Sequence, residues 1–256
     1  MRKGFTLLEM VFVIVIFGVL SKFGVELLYK IYENYVSSNV QNRLQGQTEL
    51  AIEQISNRLV YRIKDTTIAR DAADNIISIG DIGAVNTSTI EWIGMDIDGW
   101  RGGAAPTWSG LIALNGATTN ISLLSPGSSG AGAGAIFFIG SNVNSDTNST
   151  WKSLMHTVTS TGNALTGSFA GQDVFEYYQF AKSAYRISLE GQELVLYHTY
   201  TPWNSTVDGT RSLIMDNVSS FIFGYSGDTL LIKLCVTDND SMGTGEYYIC
   251  KEKVVF

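Results

Sequence analysis

The beginning of the chain is almost wholly apolar, and a helical pattern follows it. Residues 5–20 are sixteen residues with one charge among them, Glu9. From Leu28 to Ile63, apolar residues recur in steps of mostly three, four or seven, which is the spacing of one helix face. These residues are Leu28, Ile31, Tyr35, Val36, Val40, Leu44, Ala51, Ile52, Ile55, Leu59 and Ile63. No proline occurs before Pro106. Together these segments predict one helix over about residues 5–64, about 90 Å long at 1.5 Å per residue.

After about Thr67 the pattern changes to short β-like runs separated by glycines. The clearest are two alternating strands around Gly191 and a hairpin around Gly227-Asp228, followed by the strand that carries the last cysteine. The other candidate strands are Ile76–Ile79, Thr89–Met95, Leu111–Leu114, Ile121–Leu124, Ile136–Ile139 and Val174–Phe180. The fold class that this pattern predicts is α+β, with the second half of the helix packed on an antiparallel sheet.

Two stretches of the chain predict loops. Residues 125–135 are of low complexity, rich in serine, glycine and alanine, and predict a flexible loop. A second stretch, from the 140s into the 150s, is rich in serine, asparagine and threonine.

The apolar run has the length and flanks of a membrane anchor. Residues 5–28 reach the roughly 20 residues that a spanning helix needs. Arg2 and Lys3 precede the run, which places the N-terminus in the cytoplasm and the bulk of the chain outside. Lys22 lies near the far end, where a lysine can reach the interface. A secretory signal peptide is the alternative, but no Ala-x-Ala site follows and the helical pattern continues.

The segment Gly4-Phe5-Thr6-Leu7-Leu8-Glu9 resembles the prepilin-peptidase site of type IV pilins and type II secretion pseudopilins. The resemblance covers about the first 25 residues. It implies cleavage between Gly4 and Phe5 and methylation of the new amino group of Phe5. The resulting division is a cytoplasmic leader 1–4, a transmembrane or filament-core half-helix 5–28, an amphipathic half-helix 29–66, and a β-rich extracytoplasmic domain 67–256.

Glu9 matches the glutamate that the family carries five residues into the mature chain. A charged side chain inside a bilayer costs about 2.5–3.5 kcal/mol on insertion scales, so Glu9 needs a partner. Cleavage would create a positive amine at Phe5, and the amine of a neighbouring subunit can reach Glu9 in a helical filament. We therefore expect Glu9 to set axial register during assembly. The competing interpretation is a chance acid in an ordinary membrane anchor.

The resemblance also implies a function: a structural, non-enzymatic minor pilin or pseudopilin that helps initiate or cap a filament. Residues 55–63 resemble the J-type minor pseudopilins and the W-type minor pilins. The implied partners are other pilin or pseudopilin subunits, the prepilin peptidase and the inner-membrane assembly platform. The implied location is the bacterial inner membrane, with the globular domain in the periplasm or in an extracellular filament.

Two other functions stay open. One is a membrane-tethered adhesin or carbohydrate-binding module that uses its five tryptophans, although most of these are expected in the core. The other is a tethered hydrolase, which has little support because the two histidines, His156 and His198, lie in separate regions and no catalytic motif occurs. A net charge of −7 argues against a nucleic-acid binder that neutralises phosphates.

Cys235 and Cys250 lie in two strand-like segments, at equal distances from the polar turn between them. Outside the membrane the compartment is oxidising, so we expect a disulfide, and family members often carry one near the C-terminus. Two free buried cysteines are the alternative.

The turn between these segments, residues 238–246, resembles a calcium loop. Asp238, Asp240 and Glu246 would supply hard oxygen ligands, and the glycines let the chain turn. No other cofactor is expected. A plain polar hairpin turn, in which Asp, Asn and Gly are favoured anyway, is the alternative.

Overall fold

The computed structural model describes residues 6–77, 79, 87–102, 107–114, 121–140, 155–201, 209–226, 229–239 and 246–256. Within this part the chain forms one long N-terminal helix followed by antiparallel β-sheets. The α+β fold class predicted from the sequence is therefore confirmed.

The long helix, α1, spans Leu7–Leu59. It ends earlier than the predicted residue 64 although neither glycine nor proline stops it. The cause is tertiary: the N–H of Ile63 donates to the carbonyl of Ile93 at 2.8 Å, and the N–H of Met95 donates to the carbonyl of Tyr61 at 3.0 Å. The chain thus leaves the helix to join the sheet, and a 3₁₀ turn at Lys64–Thr66 follows.

Thirteen strands and one short helix follow α1 in the described part of the chain. The larger sheet contains ten of these strands. They are β1 Ile68–Arg70, β2 Ile76–Ile77, β3 Thr89–Met95, β4 Ser122–Leu124, β5 Gly130–Phe138, β6 His156–Gly162, β7 Ala164–Gly167, β8 Tyr178–Glu190, β9 Glu193–Tyr200 and β10 Thr210–Met215. The short helix, α2, spans Ile97–Arg101.

The long strand β8 is where the larger sheet divides. One edge of β8 pairs with β3, which continues to β1 and β2. The other edge pairs with β5 near its beginning and with β9 nearer its end. β5 leads on to β6, β7 and β4, whereas β9 leads to β10. The sheet therefore has a lobe that approaches α1 and a distal lobe made of β4–β7.

A second sheet of three strands, β11 Val218–Ser226, β12 Thr229–Asn239 and β13 Glu246–Val255, packs against α1. Apolar side chains of α1, from Leu44 to Leu59, share one core with this sheet and with β3, β8 and β9. Ion pairs tie the polar side of the helix to the same sheet, and they join Arg43 to Asp238, Glu49 to Lys251 and Glu53 to Lys253. The distal lobe has a separate core around Trp108, Tyr178 and Phe180.

One predicted loop is wrong in its second part. Residues 130–135, the alternating glycines and alanines, begin strand β5 and pair with β6, and from Ala135 onward β5 also pairs with β8. A side chain at Gly134 would meet the ring of Phe180 at 2.4 Å, so the small residue lets the two strands approach closely. The first part is a turn in which the Ser125 and Ser128 hydroxyls contact the hydroxyl of Tyr178 at 2.8 and 3.2 Å.

Other strand predictions differ in their bounds. Thr89–Met95 is a strand as predicted, and strands flank the turn at Gly191. Leu111–Leu114 is not a strand and contributes a single bridge between Leu111 and Tyr177. The strand expected at Val174–Phe180 begins only at Tyr178. The predicted loop of the 140s and the turn at Gly227-Asp228 lie outside the described residues.

Candidate membrane and assembly segment

Helix α1 begins at a capped end next to the predicted cleavage site. Thr6 is extended, with φ −80° and ψ 150°, and its hydroxyl accepts a hydrogen bond from the N–H of Glu9 at 3.4 Å. Thr6 and Glu9 have the Thr-x-x-Glu spacing of a capping box, a signal that the sequence interpretation missed. The acid therefore lies in the first turn, where the helix dipole favours negative charge. Gly4 and Phe5 lie outside the described residues.

The carboxylate of Glu9 meets no cation in the described part of the chain. Glu9 is exposed, as are all residues from Thr6 to Tyr32, and the first buried residue of the helix is Leu44. Thirty-five residues of helix separate Glu9 from Leu44, about 52 Å at 1.5 Å per residue. The described globular domain thus supplies no counter-charge to Glu9.

The exposed half of α1 presents large apolar side chains on every side. Phe12, Ile14, Phe17 and Leu20 are each at least 60% exposed. The helix is long and apolar enough to cross a membrane, and its most apolar stretch is not buried inside the protein. A surface of this kind is unfavourable in water, so lipid or other apolar helices must cover it.

Tyrosines follow the apolar run at the outer end of this segment. Tyr29, Tyr32 and Tyr35 are exposed, and Glu26 and Lys30 form a loose ion pair of 3.7 Å one turn apart. Leu7 to Leu28 is about 33 Å of helix, close to the thickness of a hydrocarbon core. The tyrosines then fall at the headgroup level, where aromatic residues are enriched. Sequence reasoning overlooked them, although their position after Lys22 is the signal.

Cys235 and Cys250 face each other near the middle of the β12–β13 pair in the second sheet. They are paired residues of β12 and β13, their Cα atoms are 4.1 Å apart, and their sulfurs form a disulfide in the structure. The bridge links two strands that both pack on α1. It therefore fixes the hairpin on which the amphipathic half of the helix rests.

The residues predicted to bind calcium follow this disulfide towards the hairpin tip. The carboxylate of Asp238 contacts the Arg43 guanidinium at 2.5 Å. Asp240 and the side chain of Glu246 lie outside the described part of the chain. A calcium ion at Asp238 would therefore have to compete with an existing ion pair. Among the described residues, no group of three acids, histidines or cysteines is close enough to hold a metal ion.

The tryptophans do not form a common surface in the described residues. Trp92 and Trp108 are buried, and the indole N–H of Trp108 donates to Asp96 at 2.8 Å. Trp100 is partly exposed and lies over Gly110. Trp151 and Trp203 lie outside the described part.

The two histidines have structural surroundings. His156 lies between the rings of Phe138 and Phe169, and burial lowers its pKa. His198 contacts the hydroxyls of Thr199 and Ser212 at 2.7 and 3.1 Å. The packing of His156 and the hydrogen bonds of His198 thus explain both side chains without a catalytic role.

Comparison with known proteins supports the interpretation of the N-terminus. Residues 1–21 match the family model described as the prokaryotic N-terminal methylation motif. The chain therefore carries the signal of type IV pilins and pseudopilins, and its long apolar N-terminal helix fits a membrane anchor. Proteins with this signal are structural rather than catalytic. Comparisons with curated proteins and with solved structures found no match.

Proposed function

We propose that this protein is a structural minor pilin or pseudopilin subunit. It is inserted in the bacterial inner membrane with its globular domain outside, cleaved between Gly4 and Phe5, and methylated at Phe5. It then joins a filament with other pilin or pseudopilin subunits and helps to initiate or cap assembly. The observation that carries this proposal is the methylation motif at residues 1–21 continuing into an exposed apolar helix.

Glu9 has a specific part in this proposal. Its carboxylate pairs with the methylated amine of Phe5 in a neighbouring subunit. The absence of a counter-charge to Glu9 among the described residues supports a partner from another chain. Because both charges are removed from water in the filament, losing one of them leaves the other buried and unpaired, which is strongly unfavourable.

The prepilin peptidase and the assembly platform are the remaining proposed partners. Entry into a secretion pseudopilus would make the subunit a J-type minor pseudopilin, and entry into a pilus would make it a W-type minor pilin. We propose no enzymatic activity.

The test combines processing with assembly in the native host. Mass spectrometry of the membrane-extracted protein should give an N-terminal peptide that begins at Phe5 and carries one methyl group. Glu9→Ala should reduce incorporation into filaments at least about tenfold, as expected for an unpaired buried charge. The matched control is Glu26→Ala, the same change at an exposed position of the same helix, which should assemble normally.

Three outcomes would contradict the proposal. An intact Met1 would show that the signal is not processed. Normal assembly of Glu9→Ala would remove the register role of Glu9. Equal defects in both variants would mean that loss of an acid impairs assembly wherever it lies on this helix, so Glu9 would have no specific role.

Calcium binding by Asp238, Asp240 and Glu246 is a second, separate proposal. If calcium binds there, the melting temperature should be higher in calcium than in chelator, because a ligand that binds only the folded state stabilises it. Asp240→Asn should remove this difference. A melting temperature that is the same in calcium and in chelator would eliminate the site.

A further inference from the structure

A polar cleft lies where the two sheets meet, on the globular domain. Its volume is about 750 Å³. Its walls come from the turn after β1, the beginning of β3, the later part of β8, and β11. This volume falls within the range of about 300–1,000 Å³ that is usual for small-molecule sites.

The walls of the cleft are rich in hydroxyl groups. Six lining residues are serine or threonine, namely Thr87, Ser88, Thr89, Ser188, Ser219 and Ser220. Thr89 and Ser188 bond to each other at 2.8 Å, and Thr87 donates to the carbonyl of Arg70. The hydroxyls of Ser88, Ser219 and Ser220 have no hydrogen-bond partner among the described residues. Each can both donate and accept, so together they suit a ligand with many hydroxyls.

A partly buried guanidinium, that of Arg186, lies at this wall. Arg186 lines the cleft and pairs with Asp74, whereas its Nε is buried without an acceptor in the described part of the chain. An unpaired buried donor is costly, and a ligand oxygen can satisfy it if Arg186 shifts slightly.

Apart from Asp71, the charged side chains around the cleft are joined in ion pairs. Arg186 and Arg70 both contact Asp74, and Arg70 also pairs with the buried Glu91. The carboxylate of Asp71 accepts hydrogen bonds from Ala73 and Asn75 in its own turn. An anionic ligand would meet the carboxylates, and a cationic ligand would meet the guanidinium. A neutral ligand avoids repulsion from both the carboxylates and the guanidinium.

We propose that this cleft binds a neutral saccharide. The hydroxyls, Asp74 and Arg186 would hydrogen-bond the sugar, and Leu189 and Ile222 offer apolar contact to its C–H groups. No tryptophan of the described residues lines the cleft, so recognition would rest on hydrogen bonds. An extended peptide added to the edge of β11 that pairs with no described strand is the competing occupant. The hydroxyl-rich walls favour the sugar, because a peptide added to an edge strand is held mainly by backbone groups.

The experiment uses the full chain in lipid nanodiscs, which avoids sugar-based detergents. Saturation-transfer NMR would be recorded with lactose, cellobiose and N,N′-diacetylchitobiose as probes. At least one should give a signal, and Ser219→Tyr, which places a bulky ring in the cleft from an exposed position, should reduce it at least tenfold. The matched control is Thr161→Tyr, an exposed β6 position in the distal lobe, which should leave the signal unchanged. Ser88→Ala with Ser220→Ala, a milder change, should weaken the signal severalfold.

The following outcomes would overturn the inference. No signal from any neutral probe, or a signal only from glucuronate or inorganic phosphate, would exclude a neutral saccharide. A signal that survives Ser219→Tyr would place the site elsewhere. Displacement of the sugar by an extended peptide that binds more tightly would assign the cleft to peptides. Filament assembly of Ser219→Tyr should stay normal, so a failure here is distinguishable from failure of the structural role.

Discussion

The two halves of helix α1 have the same backbone and opposite surroundings. From Leu7 to Tyr32 every residue is exposed. From Leu44 to Leu59 one face of the helix is buried in the core under the second sheet. The buried positions are Leu44, Thr48, Ala51, Ile52, Ile55, Ser56 and Leu59, which follow the helical spacing. The first half has no such spacing because nearly all its residues are apolar.

This difference shows how one continuous helix can suit an apolar environment in its first half and water in its second half. The second half needs polar residues on its outer face because water lies there, and Glu49 and Glu53 on that face form ion pairs with β13. The first half has no outer polar face, so it is compatible only with lipid or with other apolar helices. The change between the two patterns marks where the chain leaves the apolar phase.

The largest expected effect comes from making one substitution in each half. Ile55 is fully buried, whereas Ile16 is 55% exposed. Ile55→Ala should lower the free energy of unfolding of the globular domain by about 2–5 kcal/mol, through lost burial and the cavity left behind. Ile16→Ala should change it by less than about 0.5 kcal/mol. Denaturant unfolding of both variants in nanodiscs, followed by tryptophan fluorescence, measures the two values.

Equal losses of stability in Ile55→Ala and Ile16→Ala would contradict this difference between the two halves of α1. They would mean that the exposed half also supports the folded domain, through contacts that the described residues do not include.

A somewhat smaller effect should come from the disulfide, which lies in the globular half only. Cys235 and Cys250 are 15 residues apart, and closing a loop of this length stabilises by about 3 kcal/mol in the chain-entropy model. Replacing both with alanine should lower domain stability by about that amount and leave membrane insertion unchanged. A mass shift of about 2 Da on reduction checks the bond itself. Labelling of free thiols without a reductant would contradict it.

The smallest expected effect is a pH dependence that belongs to the distal lobe. Burial lowers the pKa of His156 below its ordinary value of 6.5. Between the two pKa values the unfolded state binds more protons, so this contribution is complete above about pH 6.5 and declines as the pH falls below it. The melting temperature should therefore drop slightly between pH 7 and 5.5, and less so in His156→Leu. A slope that the substitution leaves unchanged would assign the effect to another group.

The helical spacing in the sequence predicted much of the contact with the sheet. It selected Leu44, Ala51, Ile52, Ile55 and Leu59, all of which are buried. It also selected Leu28, Ile31 and Tyr35, which are exposed because the described globular domain does not reach them. Spacing identifies a helix face, but it does not say how far along the helix another element covers that face.

The Gly-Ala stretch shows the opposite failure. Its composition is typical of a flexible loop, yet it forms β5 because Phe180 of β8 needs the space that Gly134 leaves. Small side chains destabilise an isolated strand because they offer little to pack. They stabilise a strand across which a large ring packs, because they leave room for it. Only the pairing of β5 with β8 could reveal this.

The sequence by itself determined the processing signal, the apolar anchor and the α+β class, because each depends on local composition and period. Gly4, Phe5 and Glu9 lie within six consecutive residues, so their pattern is visible without a fold. The tertiary structure decided where the helix ends, how β8 divides the sheet, and which hydroxyls line the cleft. The cleft residues come from four separate segments, and no local pattern specifies which distant strands will meet.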